Sequence, residues 1–392
     1  MKIAVIGVGT GGLISLSHFC GWSPSDWEIY SIHDPNTKIL GIGESTTPAI
    51  PECLFYGTDF KISQDASELD ATIKHYVKYV NWRRNDIDSL INTGLHAMHF
   101  NNFKLKDFVF KRLRQIWGNK FKVIEGNVNS MVNGDSGVWT IVNGQQHIFD
   151  YVIDCRGFPK DYSEYELSAH IPVNHCLVNM IPEKGEWDFT YHTATKNGWM
   201  FGIPLTTRQG WGYLFNDTIT TIDDAVDDIA EIFKTSPDKL DLREFTFKNY
   251  YSKKILNNRI IKNGNAAMFF EPLEALSGFY YDRVNRYFYD YIVGDVSEDE
   301  VNEYFLDFAL HIEVFISYIY HGGSIYNTPF WEITKQDTTS FLKSSSIFAN
   351  IVEDLRSISQ VNKNFGGFIA PFAPHSWFKF DKNFGYNYFS GA

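Results

Sequence analysis

The first twelve residues constrain this chain most. A short β-branched run, Lys2-Ile3-Ala4-Val5-Ile6, leads directly into Gly7-Val8-Gly9-Thr10-Gly11-Gly12, and helix-compatible residues follow to about Cys20. A second apolar run, Trp27 to Ile32, ends at His33-Asp34. Strand, G-x-G-x-x-G, helix, strand and acid form the order of a dinucleotide-binding βαβ unit. Gly7 permits the tight turn, Gly9 lets the backbone approach a pyrophosphate, and Gly12 lets helix and strand pack closely. The helix opening at Thr10 turns its free N–H groups to the phosphates. Asp34 lies 22 residues after Gly12, where an acid would bind ribose hydroxyls, and His33 competes for that place. The expected class is α/β with a Rossmann-like fold.

Two later segments narrow the dinucleotide to FAD. Val123 to Val128 and Val138 to Val142 read as strands around Asn133-Gly134-Asp135. Phe149 to Asp154 then reads as a strand running into Cys155-Arg156-Gly157-Phe158-Pro159. An apolar strand ending in Asp154 and a Gly157-x-Pro turn resembles the second dinucleotide motif of FAD-dependent hydroxylases. Gly264-Asn265-Ala266-Ala267 stands where those flavoproteins carry a G-D-A-A-like segment, with Asn265 in place of Asp. No second G-x-G-x-x-G unit is present for a nicotinamide dinucleotide. Reducing equivalents are therefore expected from a separate protein, or from NAD(P)H bound without a domain of its own.

Composition removes other classes. Apolar residues make up 44% of the chain and aromatics 17%, too much for intrinsic disorder. The 35 basic against 47 acidic residues give a formal charge of −12, which opposes a phosphate-binding nucleic-acid surface. No apolar run reaches the length of a membrane span, and the first residues lack a signal peptide's cleavage region. The expectation is a cytoplasmic protein without nucleic-acid or membrane partners. Cys20, Cys53, Cys155 and Cys176 are scattered, with no metal-binding spacing, so no metal site is expected.

Further segments, taken together, resemble the flavin-dependent tryptophan halogenases. Gly41-Ile42-Gly43-Glu44-Ser45-Thr46-Thr47-Pro48 resembles that family's G-V-G-E-A-T-x-P, and the run Lys74 to Arg83 its K-x-x-x-K-F-x-N-W-R. His96-Ala97-Met98-His99-Phe100 is similar to H-A-W-H-F, and Trp199 to Pro204 to W-x-W-x-I-P. Phe270 to Glu274 matches F-x-E-P-L-E, and Thr328-Pro329-Phe330-Trp331 matches T-P-F-W.

The resemblance implies a halogenase that uses reduced FAD, oxygen and a halide (chloride, bromide or iodide). Hypohalous acid made at the flavin would reach a lysine and halogenate an aromatic carbon. Lys74 matches the family's essential lysine and Glu274 its second catalytic residue, with Glu271 the alternative for that role. Lys74 is expected on a helix, with Lys78 one turn away on the same face. Backbone amides of Leu276 and Ser277 would hold halide. Trp199, Phe201, Ile203 and Pro204 would separate organic substrate from flavin. Gly7, Gly9, Thr10, Gly12, Asp34, Glu44, Ser45, Thr46, Asp154, Gly157, Asn265 and Ala266 would line the cofactor. A separate flavin reductase and a small aromatic substrate are the implied partners; self-association stays open.

Some segments depart from the family pattern. Phe201 replaces the second signature Trp, and Ala275-Leu276-Ser277-Gly278 follows Glu274 in place of S-T-G. Only twelve residues separate Arg83 from His96, where the family carries a long substrate-covering segment. The tail after Trp331 shows no matching segment, which points to a thin cover and a relaxed substrate and halide range. The expected layout is a discontinuous FAD unit (1–55, 95–165, 255–295), an inserted β-rich layer (165–255) and a helical substrate-side module (296–392). A single-component aromatic hydroxylase and a flavin-binding protein without turnover are the alternatives.

Overall fold

The computed structural model describes residues 1–38, 41, 44–83, 89–361, 372 and 374–389, with side chains left aside at 89–96 and 358–361. Ile42 and Gly43 of the glycine-rich loop segment lie outside the described residues, as do residues 84–88 of the short span after Arg83.

The apolar N-terminal run becomes the central strand of a six-stranded sheet. Lys2–Ile6 pairs in parallel with Tyr151–Asp154 on one side and Glu28–His33 on the other. Phe121–Glu125 and Ile260–Lys262 extend it in parallel, and Leu256–Asn257 closes one edge antiparallel. Ile3, Ala4 and Val5 are fully buried, as a strand covered on both faces requires. The helix Thr10–Trp22 is buried at every position from Gly11 to Cys20. It lies between this sheet and the helices Ala49–Thr58 and Ser277–Val293. Against those helices His18, Cys53 and Asp282 meet, where Arg286 Nε donates to both Asp282 oxygens at 2.9 Å. All four cysteines are buried free thiols.

Val128–Gly134, Gly137–Val142 and Gln145–Phe149 form a small antiparallel sheet, so the run expected from 123 to 128 divides between two strands. The second large sheet has eight strands. In order they are Leu242–Thr246, His175–Ile181, Gln209–Phe215, Trp199–Pro204, Phe189–Ala194, Thr72–Val80, Ser89–Phe100 and Glu44–Ser45. Neighbours run antiparallel except Phe189–Ala194 and Thr72–Val80, which are parallel.

This sheet corrects the expected setting of Lys74, which lies on the strand Thr72–Val80 and not on a helix. Thr, Ile, Tyr and Val dominate that segment, and β-branched and aromatic side chains favour a pleated surface over a helix. The ladder with Ser89–Phe100 is also interrupted between Lys74 and Tyr76. That irregularity shifts the alternation, so Lys74, Val77 and Tyr79 are buried. Lys78 instead lies over the Tyr191 ring, 5.9 Å from its centre, and is no neighbour of Lys74 on one helical face.

The chain ends in helices. Glu298–Tyr320 starts with a capping box in which Ser297 and Glu300 satisfy each other's amides. Pro329–Ser344, Ser346–Val361 and Pro374–Phe384 follow. No helix among the described residues is long and apolar enough to cross a membrane.

Candidate active site

The glycine-rich turn is shaped by two steric demands and one opening. A Cβ on Gly7 would come within 2.4 Å of the Cys155 carbonyl oxygen, and Gly7 has φ +99°. A Cβ on Gly12 would meet the Gly7 carbonyl oxygen at 2.1 Å. Gly9 differs, since an added Cβ would meet no protein atom within 4 Å. Gly9 is also the N-cap of Thr10–Trp22, with no side-chain cap and no acid in the first turn. The helix therefore offers unsatisfied N–H groups beside open space, the arrangement that receives a pyrophosphate.

Around this turn stand the other predicted cofactor residues. Asp34 follows the strand Glu28–His33 and accepts from the Asn36 amide at 2.9 Å. His33, its rival, is buried edge-on against Phe110. Asp154 is held by Arg156, whose Nε and Nη2 each donate to it at 2.8 Å. The cation facing outward there is Arg156, which sequence reading passed over. Gly157 has φ +92° and nothing within 4 Å of an added Cβ. The Asn265 and Ala266 carbonyls accept from the Tyr250 and Tyr165 hydroxyls.

Lys74 and Glu274 come together from distant parts of the chain. Lys74 is 3% exposed; Nζ donates to Ser45 Oγ at 2.9 Å and to the Thr46 carbonyl oxygen at 3.0 Å. Burial pushes its ammonium down to about 8, with the Glu274 charge opposing the shift. Glu274 ends the short turn Pro272–Glu274, and Ala275 follows at φ +52°. Burial raises the Glu274 carboxyl to about 7, against a hydrogen bond donated by the Tyr79 hydroxyl and the Lys74 charge. Glu271, the alternative acid, is buried and accepts from the Leu273 amide at 3.0 Å. Burial first, and then Glu274, raises Glu271 well above the carboxylate range.

Ser45 and Thr46, predicted to line the flavin, turn their side chains inward. Thr46 Oγ1 donates to the Met98 carbonyl at 2.8 Å and accepts from the Met98 amide at 3.0 Å. Ser45 Oγ lies 2.8 Å from Thr190 Oγ1. Thr190 Oγ1 lies 2.9 Å from His99 Nε2, and His99 Nδ1 lies 3.0 Å from Thr72 Oγ1. Thr72 Oγ1 donates to the Pro204 carbonyl at 2.7 Å.

The carbonyl end and a neutral imidazole together fix every direction in this chain, because Thr72 spends its single proton on Pro204. His99 must then donate from Nδ1 and accept at Nε2 from Thr190, which accepts from Ser45, which accepts from Lys74. His99 is thus the Nδ1–H tautomer. Burial, and next the Lys74 charge, hold it well below the usual histidine range. Sequence reading quoted His99 and Tyr79 within motifs, gave neither a role, and passed over Thr72 and Thr190. Glu44, on the same short strand as Ser45, is raised to about 8 by burial, with Arg208 opposing.

The predicted partition is one strand, buried at all six positions from Trp199 to Pro204. Trp199 and Phe201 lie 6.2 Å apart between ring centres. His192 packs edge-on to Trp199 and to Tyr79, at 5.1 Å from each. Trp82 and Trp331, from two other motifs, lie 5.3 Å apart in the same aromatic cluster. The tail is not bare, in contrast to expectation: Phe380 and Phe384 lie 5.5 and 5.6 Å from Tyr79. Leu276 and Ser277 open the helix Ser277–Val293, where the first amides have no carbonyl four residues back.

The family model described as "Tryptophan halogenase" matches residues 2–122 and 85–379, so the match runs well into the tail. Tryptophan 7-halogenase RebH of Lentzea aerocolonigenes is 21% identical over 422 residues, covering 86% of this chain and 79% of its own. Tryptophan 7-halogenase KtzQ of Kutzneria sp. (strain 744) is 27% identical, covering 73% and 68%. In fold, the flavin-dependent halogenase Xcc4156 from Xanthomonas campestris superposes with a TM-score of 0.82 at 18% identity, covering 98% of this chain and 88% of that one. BrvH, a flavin-dependent halogenase from Brevundimonas sp. BAL3, gives 0.79 at 16% identity, covering 98% and 90%. This chain therefore belongs to the tryptophan halogenase family, and it is a flavin-dependent halogenase.

Proposed function

We propose that this enzyme uses reduced FAD, oxygen and a halide to form hypohalous acid, which halogenates an electron-rich indole or phenol beside Lys74. The observation that carries this reading is the buried Lys74 ammonium, held by Ser45 and Thr46 within charge reach of Glu274. The open cradle at Gly9 and the uncapped helix behind it fit FAD. Asp34, Arg156 beside Asp154, Gly157 and the Gly264–Ala266 turn would surround it. When bound, reduced FAD supplies, with oxygen, the two-electron oxidation of the halide.

The remaining roles belong to the chain. Two of the tetrahedral directions at Lys74 Nζ are taken by Ser45 and Thr46. The direction left for incoming hypohalous acid carries an N–H in the ammonium, which orients it, or a lone pair in the amine, which forms a haloamine. In the ammonium case the aromatic carbon takes the halogen and the O–X bond breaks. The departing hydroxide leaves as water with the Lys74 proton. Glu274 takes the ring proton. Amides at Leu276 and Ser277 would hold halide without depending on side-chain identity. Trp199, Phe201, Ile203 and Pro204 keep substrate from the flavin.

The short span after Arg83 supports a tolerant substrate range, because discrimination comes from contacts made better by one substrate than another. Bromide and iodide, more easily oxidised, are expected to serve at least as well as chloride. A separate reductase is the expected source of reduced FAD. The test is turnover with reductase-supplied FAD in each of three halides, with tryptophan, substituted indoles and phenols in competition. Halogenated products from several substrates are expected. Strict use of tryptophan and chloride would overturn the tolerant range. Hydroxylated product with NADPH and no halide would overturn the halogenation chemistry.

A further inference from the structure

Two hydroxyl groups touch the Lys74–Glu274 pair at positions where the family motifs quoted above have none. Ser45 stands at the Ala of G-V-G-E-A-T, and Tyr79 at the Phe of K-x-x-x-K-F-x-N-W-R. Each makes one directed bond to one member of the pair, since Ser45 Oγ accepts from Lys74 and the Tyr79 hydroxyl donates to Glu274. The two bonds are complementary. An acceptor favours the ammonium and a donor favours the carboxylate, so both hydroxyls stabilise the charged forms of the two groups over the neutral ones.

We propose that Ser45 and Tyr79 are positioning residues, each holding its partner in the charged form, and that Ser45 is anchored for this task by Thr190 and His99. The anchoring matters because a free serine hydroxyl would rotate and offer Lys74 either its proton or its lone pair. Here the Ser45 proton is committed to Thr190, leaving only a lone pair for Lys74. Among the described residues, the other titratable groups whose charge acts on the pair are Glu271, His99 and His192. Burial, and next the Lys74 charge, push both histidines toward the neutral form, and burial pushes Glu271 toward the protonated one. None of the three therefore competes for the charge that Ser45 and Tyr79 stabilise.

This inference rests on Lys74 and Glu274 acting as proposed, and its test separates the two. Ser45→Ala and Tyr79→Phe install the residues of the family motifs, so both should fold. Without its acceptor the ammonium is harder to keep, and the alkaline limb of the turnover–pH profile should move down by about half a pH unit. Without its donor the carboxylate is harder to keep, and the acid limb should move up by about the same amount. The double variant should narrow the profile from both sides, and Ser45→Thr should restore the alkaline limb. A second arm needs neither cofactor nor turnover. Histidine-labelled protein should give 15N shifts for a neutral Nδ1–H tautomer at His99, identified by its loss in His99→Gln. That tautomer should be lost or begin to titrate in Thr190→Val. Unmoved limbs in Ser45→Ala and Tyr79→Phe, while Lys74→Ala is dead, would overturn the inference and leave the proposed chemistry standing. An Nε2–H tautomer at His99 would overturn the anchoring.

Discussion

The six-stranded and eight-stranded sheets place their functional groups by different means. In the first, contiguous residues do the work: Gly7, Gly9 and Gly12 lie within six positions, and what they present is backbone. In the second, Lys74, Ser45, Thr190 and His99 come from four strands spread over 146 residues of chain, and what they present is side chains. Backbone sites are written locally, because a missing Cβ has its effect where it stands. Side-chain sites are written in strand register, and a pairing such as Ser45 opposite His99 has no local sign.

Four experiments press on this contrast. The largest effect is expected from Lys74→Ala, which should reduce halogenation by on the order of a thousandfold, within the range for removing a proton-transfer group. FAD affinity, measured by flavin fluorescence, should be unchanged. Near wild-type turnover would remove Lys74 from the centre of the chemistry. Next come two glycines three positions apart in sequence but opposite in kind. Gly9→Val should abolish FAD binding while the thermal transition stays close to wild type, since only open space receives the new side chain. Gly12→Ala should lower stability by about 2–3 kcal/mol through overpacking against Gly7. If the two variants behave alike in melting and in flavin titration, the division between cradle and scaffold is wrong.

A third measurement is the pH profile itself. In the proposed chemistry Glu274 must be ionised to act as base, so activity should fall as pH drops through about 7. Lys74 must be protonated to orient hypohalous acid, so activity should fall as pH rises through about 8. A narrow bell with both limbs in that neighbourhood is expected. Full activity persisting at pH 10 would favour the amine and its haloamine. The smallest effect should come from Lys78→Ala, less than about twofold on turnover, since Lys78 faces Tyr191 and not the pair.

These contrasts also mark what the sequence could disclose. The βαβ unit was legible to within a residue or two, because each of its parts is a local steric requirement. Lys74 and Glu274 were legible as motif positions, but not the strand that carries Lys74. A lysine spacing of four reads as one helical face, whereas Thr72, Ile73, Tyr76, Val77 and Tyr79 prefer a sheet, and tertiary pairing settled it. His99, Thr190 and Thr72 were illegible as partners, since nothing near them names the residue opposite. The contact of Phe380 and Phe384 with Tyr79 was hidden for the same reason, about 300 residues of separation being closed only by the fold.

The hydrogen-bonded row behind Lys74 ends on the Pro204 carbonyl, which can accept a hydrogen bond but has no proton to give. In the proposed chemistry each turnover takes a proton from Lys74 to make water and leaves one on Glu274. The row through Ser45, Thr190, His99 and Thr72 cannot restore it from that end. Recharging must therefore come from the other side, where Glu274, left protonated by the proposed chemistry, is within charge reach of Lys74 and can return the ring's proton. The pair then runs as a closed circuit: the hydrogen displaced from one substrate is the hydrogen that readies the enzyme for the next.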